Sequence, residues 1–122
     1  MKSIRAWVEA NGGSWLERAP GSSASFAEVG SVRWPVVVEL DRQFGGLSLY
    51  LGEHELWVGL DSALEMPAFR RELEGRPHVM VGAFGPCRWY VDEHGALLEV
   101  DASGAVVNRA ESVGALLERL AG

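Results

Sequence analysis

Cysteine is nearly absent from this chain: Cys87 stands alone among 122 residues. An intrachain disulfide framework is therefore excluded, and a reducing compartment fits. Long apolar runs are missing too. Nothing approaches the roughly 18 consecutive apolar residues that suggest a membrane span. The opening stretch MKSIRAWVEANGG lacks an apolar core of signal-peptide length. The expectation is a soluble, cytoplasmic protein with no membrane contact. Basic residues are in the minority, 17 Asp and Glu against 11 Lys and Arg, for a formal net charge of −6. Nucleic acid is an unfavourable partner for such a surface, because phosphate binding needs clustered Lys and Arg. A basic protein partner is compatible with it.

Signatures of catalysis are equally scarce. No G-x-S-x-G elbow occurs, and Gly45-Gly46 is not followed by the Lys-Ser/Thr of a phosphate loop. His54, His78 and His94 are scattered, with no i, i+4 pair and no C-x-x-C partner. They read as solvated turn residues, and neither a metal nor a cofactor is expected. Cys87 follows Gly85-Pro86 at a strand start and reads as a small buried residue. The carboxylate pairs Glu53/Glu55 and Asp92/Glu93 fall at turns or strand ends. General acid/base work would need one member's pKa raised by burial, and water there keeps both ionised.

What is present is ordinary globular material. Apolar residues make up 48% and charged residues 23%, which excludes general disorder and fits one domain over residues 1–122. Residues 3–10 suit a short helix with Ser3 as N-cap and Ile4, Trp7 and Val8 on one face, ended by Asn11, Gly12 and Gly13. The PGSSAS stretch at 20–25 reads as a loop, with Phe26, Val29 and Val32 pinning the chain after it. Pro35 opens a second helix, with Val37, Leu40 and Phe44 on one face and Gly45 placed for a left-handed C-cap. Leu47, Leu49 and Leu51 alternate with Ser48 and Tyr50; residues 55–60 alternate too, and 52–54 is short enough for a hairpin turn. Met66-Pro67 reads as the start of a short helix with Phe69 and Leu73 at i, i+4, closed by Gly75.

A third strand falls at 79–81. Residues 88–92 and 96–100 form a hairpin, with Asp92 opening the turn and Gly95 where a positive φ is needed. Ser103-Gly104 is a second turn before a short strand at 106–108. The last helix starts at Ser112 and carries Val113, Leu116, Leu117 and Leu120 as its apolar stripe. Helices at both chain ends with strands between them predict an α+β fold, a mostly antiparallel sheet with those helices packed against it.

Five tryptophans are many for this length. In the strand reading Tyr50, Trp57 and Tyr90 alternate away from Leu49, Leu56 and Val91, and share their face with Ser48, Glu55, Arg88, Leu97 and Glu99. An acidic, aromatic sheet face of this kind suits a protein interface. The competing reading has this face covered by the N-terminal segment, with Trp7, Trp15 or Phe26 packing on it.

Residues 34–122 resemble the SMI1/KNR4-like (SUKH) superfamily. The resemblance rests on the Pro-initiated helix ending in FGGL (44–47), the central strands, the YVDEHGALLEV hairpin (90–100) and the final helix after Ser112. Bacterial members are commonly immunity proteins that neutralise a cognate toxin, often a nuclease, of a polymorphic toxin system; others are scaffold-like regulators. The resemblance implies a non-enzymatic immunity protein, a monomer or weak homodimer, that occludes its toxin's active site. The contacting residues are expected among Tyr50, Glu55, Trp57, Tyr90, Asp92, Glu93 and Glu99. A general protein-interaction domain and a small carboxylate-dependent hydrolase are the alternatives.

Overall fold

The computed structural model describes residues 4–15 and 34–122. The Ser3 cap, the 20–25 loop and Phe26, Val29 and Val32 lie outside them. The first helix, α1 (Ile4–Ala10), buries Trp7 and Val8. The chain then turns into β1 (Ser14–Trp15). Helix α2 (Pro35–Phe44) begins at its proline, where the missing N–H costs nothing, and buries Val37, Leu40 and Phe44 as their spacing requires.

The end of α2 departs from expectation. Gly45 has φ −57 and ψ 134, and the positive φ belongs to Gly46, at 88. Gly45 is needed for closeness instead. Its N–H donates to the Asp41 carbonyl at 2.8 Å, and a Cβ there would sit 2.6 Å from Asp41 Oδ1. Asp41 is buried, and its Oδ1 accepts from the Leu60 N–H at 3.0 Å. That bond fixes the start of α3 (Leu60–Leu64) and explains why the preceding strand stops short of Leu60.

Strands β2 (Leu47–Leu51) and β3 (His54–Val58) pair across Gly52-Glu53, with His54 already in the ladder. The segment after Pro67 is the one element of the wrong type. Residues Arg70–Leu73 form strand β4, paired antiparallel with β5 (Arg76–Phe84). Glu74 and Gly75 make the turn with φ of 54 and 76, the two positive values of a type I′ hairpin. The Phe69/Leu73 spacing misled because four residues is an even number, so i and i+4 share a face in a strand as well as in a helix. Strands β6 (Cys87–Val91), β7 (Leu97–Val100) and β8 (Val106–Ala110) complete the sheet. Helix α4 (Val113–Ala121) follows, its N-terminus capped by Ser112 Oγ accepting from the Ala115 N–H at 3.0 Å.

The fold is α+β. Among the described residues the sheet has eight strands: seven run in the order β1-β2-β3-β5-β6-β7-β8, β4 pairs β5 off this path, and every pair is antiparallel. The long β5 pairs β3 through residues 82–84 and β4 through 76–79. Its first face carries Leu49, Leu56, Val81, Trp89 and Val91 against Trp7, Val8, Leu40, Phe44, Leu116 and Leu117, so helices from both ends of the chain pack on it. The second face carries Met80, Ala83, Tyr90, Leu98 and Val100, and it too is covered. Its cover is the connection from α3 to β4: Ala63, Met66, Phe69 and Leu73, with Val106 alongside.

Candidate functional site

Ladder register decides which predicted site residues meet. Ser48 stands opposite Trp57, and Tyr50 opposite Glu55. Side chains directly opposite share a face, so all four lie on the second face. The 63–73 cover does not close over this end of it. Tyr50 is 59% exposed, Glu55 is exposed and Trp57 is half-buried, its inner part packed against the second core cluster. Ser48 Oγ donates to Glu55 Oε2 at 3.4 Å, a long contact. The next residues along the Ser48–Trp57 row are Ala83 and Arg88. Arg88 is committed elsewhere, donating to the Pro67 carbonyl at 2.6 Å.

The other four predicted residues do not join this patch. Tyr90 is on the expected face but wholly buried, its hydroxyl donating to the Ala68 carbonyl at 2.7 Å. The expected alternation of Tyr90 holds, but β4 and the chain before it cover this part of the face. Of the described N-terminal residues, Trp7 and Trp15 pack on the first face, and Phe26 lies outside the described residues. Glu99 also lies on the first face. Tyr90 pairs with Leu98, so Glu99 falls opposite Trp89 and accepts from its indole N–H at 2.8 Å. The same one-residue step turns Leu97 into the first core.

Asp92 is buried, not a solvated turn residue. Its Oδ1 accepts from the His94 N–H at 2.8 Å and the Ala96 N–H at 3.1 Å, building the turn. Arg76 lies 3.0 Å from Oδ2 but off the direction of a hydrogen bond, so that contact is one of charge. Glu93 is exposed on the turn, 3.5 Å from His94. Gly95 has φ 85 and abuts α2, where a Cβ would lie 2.6 Å from Val36 Cγ2.

The nucleophile and metal candidates resolve similarly. His54 is exposed and meets Phe84 edge-on at 6.1 Å. His78 is not a turn residue; it is buried in β5, with Nδ1 2.9 Å from the Arg76 carbonyl, so Nδ1 carries the proton and donates. Among the described residues no three His, Cys, Asp or Glu converge as a metal site, and no helix is long and apolar enough to cross a membrane. Cys87 is half-buried rather than buried. Burial, then the negative charges of Glu99 and Asp101, push its thiol pKa up, which keeps it protonated and a poor nucleophile.

Sequence reasoning missed one feature. A groove of about 840 Å³ runs between α1, α2 and α4. In its wall Trp15 stacks on Phe44 at 5.7 Å, and the Arg5 guanidinium lies 4.4 Å over Trp15. The two rings sit 29 residues apart in sequence (44 − 15), and no local pattern brings them together. Comparison with protein families, with curated proteins and with solved structures finds no match to this chain.

Proposed function

We propose that this chain is a non-enzymatic protein-binding domain, an immunity protein of SMI1/KNR4-like (SUKH) type that acts in the cytoplasm as a monomer or weak homodimer. It neutralises a cognate toxin by covering the toxin's active site. The observation that carries this reading is the bare end of the second sheet face: an exposed Tyr50 with Glu55 opposite and Trp57 beside them, on a domain of net charge −6. Large aromatics give contact area at small entropic cost and dominate interface energetics. A nuclease presents a basic groove to phosphate, and an acidic partner is steered to such a groove.

The test is rescue of growth in cells expressing the toxin domain encoded beside this gene. The wild-type chain rescues; Tyr50→Ala with Glu55→Ala does not, although the protein accumulates normally. Full rescue by that double variant would remove this face from the interface. Failure of the wild-type chain against every neighbouring toxin would favour a general interaction domain.

A further inference from the structure

The patch on β2 and β3 has a shape and a charge that select one kind of side chain from its partner. Tyr50 and Trp57 are diagonal neighbours on one face, Tyr50 opposite Glu55 and Trp57 opposite Ser48. Diagonal positions on adjacent strands are about 7–8 Å apart. A flat group stacked between two rings needs about 7 Å, twice the 3.5 Å of a van der Waals contact. Strand positions at that typical spacing admit one planar group between two rings standing side by side.

The carboxylate beside that gap is uncommitted. Glu55 receives only the long contact from Ser48 Oγ at 3.4 Å and stands in no ion pair among the described residues. The cation on the same row, Arg88, is held by the Pro67 carbonyl. Glu53, exposed at the tip of this hairpin, adds a second negative charge with no cation of its own among the described ion pairs. Two other exposed acids are neutralised within the chain, Glu39 by Arg42 and Glu74 by Arg109. Glu9, Glu65, Glu72, Glu111 and Glu118 are exposed without a described ion pair, as Glu55 is, but only Glu55 has two aromatic positions beside it on its own sheet face.

We propose that Tyr50, Trp57 and Glu55 form a receptor for an arginine side chain of the protein partner, with the guanidinium between the two rings and paired to the Glu55 carboxylate. This rests on the protein-binding reading and gives that interface its anchor. Arginine suits the site better than lysine. Its head is planar, stacks on aromatic faces and meets a carboxylate with two parallel N–H donors, whereas an ammonium is a compact, strongly hydrated point charge.

The experiment uses isotopically labelled full-length protein titrated with a short arginine-rich peptide, its lysine twin and its uncharged citrulline twin. The arginine peptide is expected to shift the Trp57 indole N–H and the Tyr50 amide saturably. The lysine twin should bind more weakly and the citrulline twin should leave both signals in place. Glu55→Gln should weaken the arginine peptide about tenfold, the scale of a hydrogen bond to a charged group, and Tyr50→Ala at least as much. Shifts that map elsewhere, or that are the same for the citrulline twin or in Glu55→Gln, overturn the proposal. The two readings separate cleanly. If the peptide misses Trp57 while Tyr50→Ala still abolishes growth rescue, the anchor is wrong and the interface stands. If the peptide binds as stated while Tyr50→Ala rescues fully, the receptor stands and the immunity interface lies on another face.

Discussion

Replacing Tyr90 by Phe removes a single oxygen from the middle of the second core. That oxygen donates to the Ala68 carbonyl at 2.7 Å, and Ala68 holds a positive φ of 60 that non-glycine residues adopt at a cost. The bond therefore pins the strained loop covering the second face. Its net worth is about 1 kcal/mol, more if the Ala68 carbonyl is left without a partner. With about 2.1 cal/mol/K of unfolding entropy per residue, 122 residues give about 0.26 kcal/mol/K, so 1 kcal/mol is about 4 °C in Tm. Tyr90→Phe should lower Tm by about 4–8 °C. Tyr90→Ala also empties a fully buried ring site and should cost about 3–5 kcal/mol, or about 12–20 °C. Calorimetry at neutral pH reads both, with Tyr50→Ala as the exposed control, expected within about 2 °C of wild type. A Tyr90→Ala protein that melts with the wild type would refute the covered face and return Tyr90 to the surface.

Three further outcomes follow from local geometry. Gly95→Ala should destabilise by about 1–3 kcal/mol from its positive φ alone, and more from the clash with Val36; chemical denaturation of Gly95→Ala in a Val36→Ala background should recover only the clash share. Ser112→Ala removes the cap of α4 and should cost about 1 kcal/mol in the same assay. Asp101 accepts from Ser103 Oγ first and from the Ala105 N–H next, which holds its carboxyl below the usual Asp range. Its folded pKa is depressed, so its contribution to stability is present above the unfolded value and lost as pH falls through the folded one. A carboxyl-carbon NMR titration should place the Asp101 midpoint below that of a model peptide, and Ser103→Ala should raise it.

Legibility in the sequence follows how local each determinant is. The helix at Pro35, the final helix after Ser112 and the Asp92–Gly95 turn are set by residues within four positions of one another, and each forms where the chain chemistry puts it. The β4 strand escaped because a spacing of four fits both periods and because its partner, β5, reads in the sequence as only three residues. The extra length of β5 is fixed by neighbours on both sides, β3 and β4 on one and β6 on the other. The site divides the same way. Tyr50, Glu55 and Trp57 belong to one tight hairpin, so a two-residue turn fixes their meeting. Tyr90, Asp92 and Glu99 depend on what lies over them or on a register set by the β6–β7 ladder, and alternation along one strand contains neither fact.

The division of the second face has a topological cause. Strand β4 leaves the sheet's main path and pairs only with the first half of β5, so the connection that leads into it crosses the β5–β7 end of the face. The β2–β3 end lies beyond the reach of that cover, and Trp57 sits on the boundary, inner part in the core and outer part free. In the proposed reading, stability and recognition thus fall on different halves of one surface. Under the covered half, Tyr90 and Met80 are fully buried and every change is felt in folding. On the bare half, Tyr50 and Glu55 contact little of their own chain, so substitutions there are available to tune a partner without loosening the domain. Trp57 alone couples the two, which makes it the position where a loss of binding and a loss of stability should appear together.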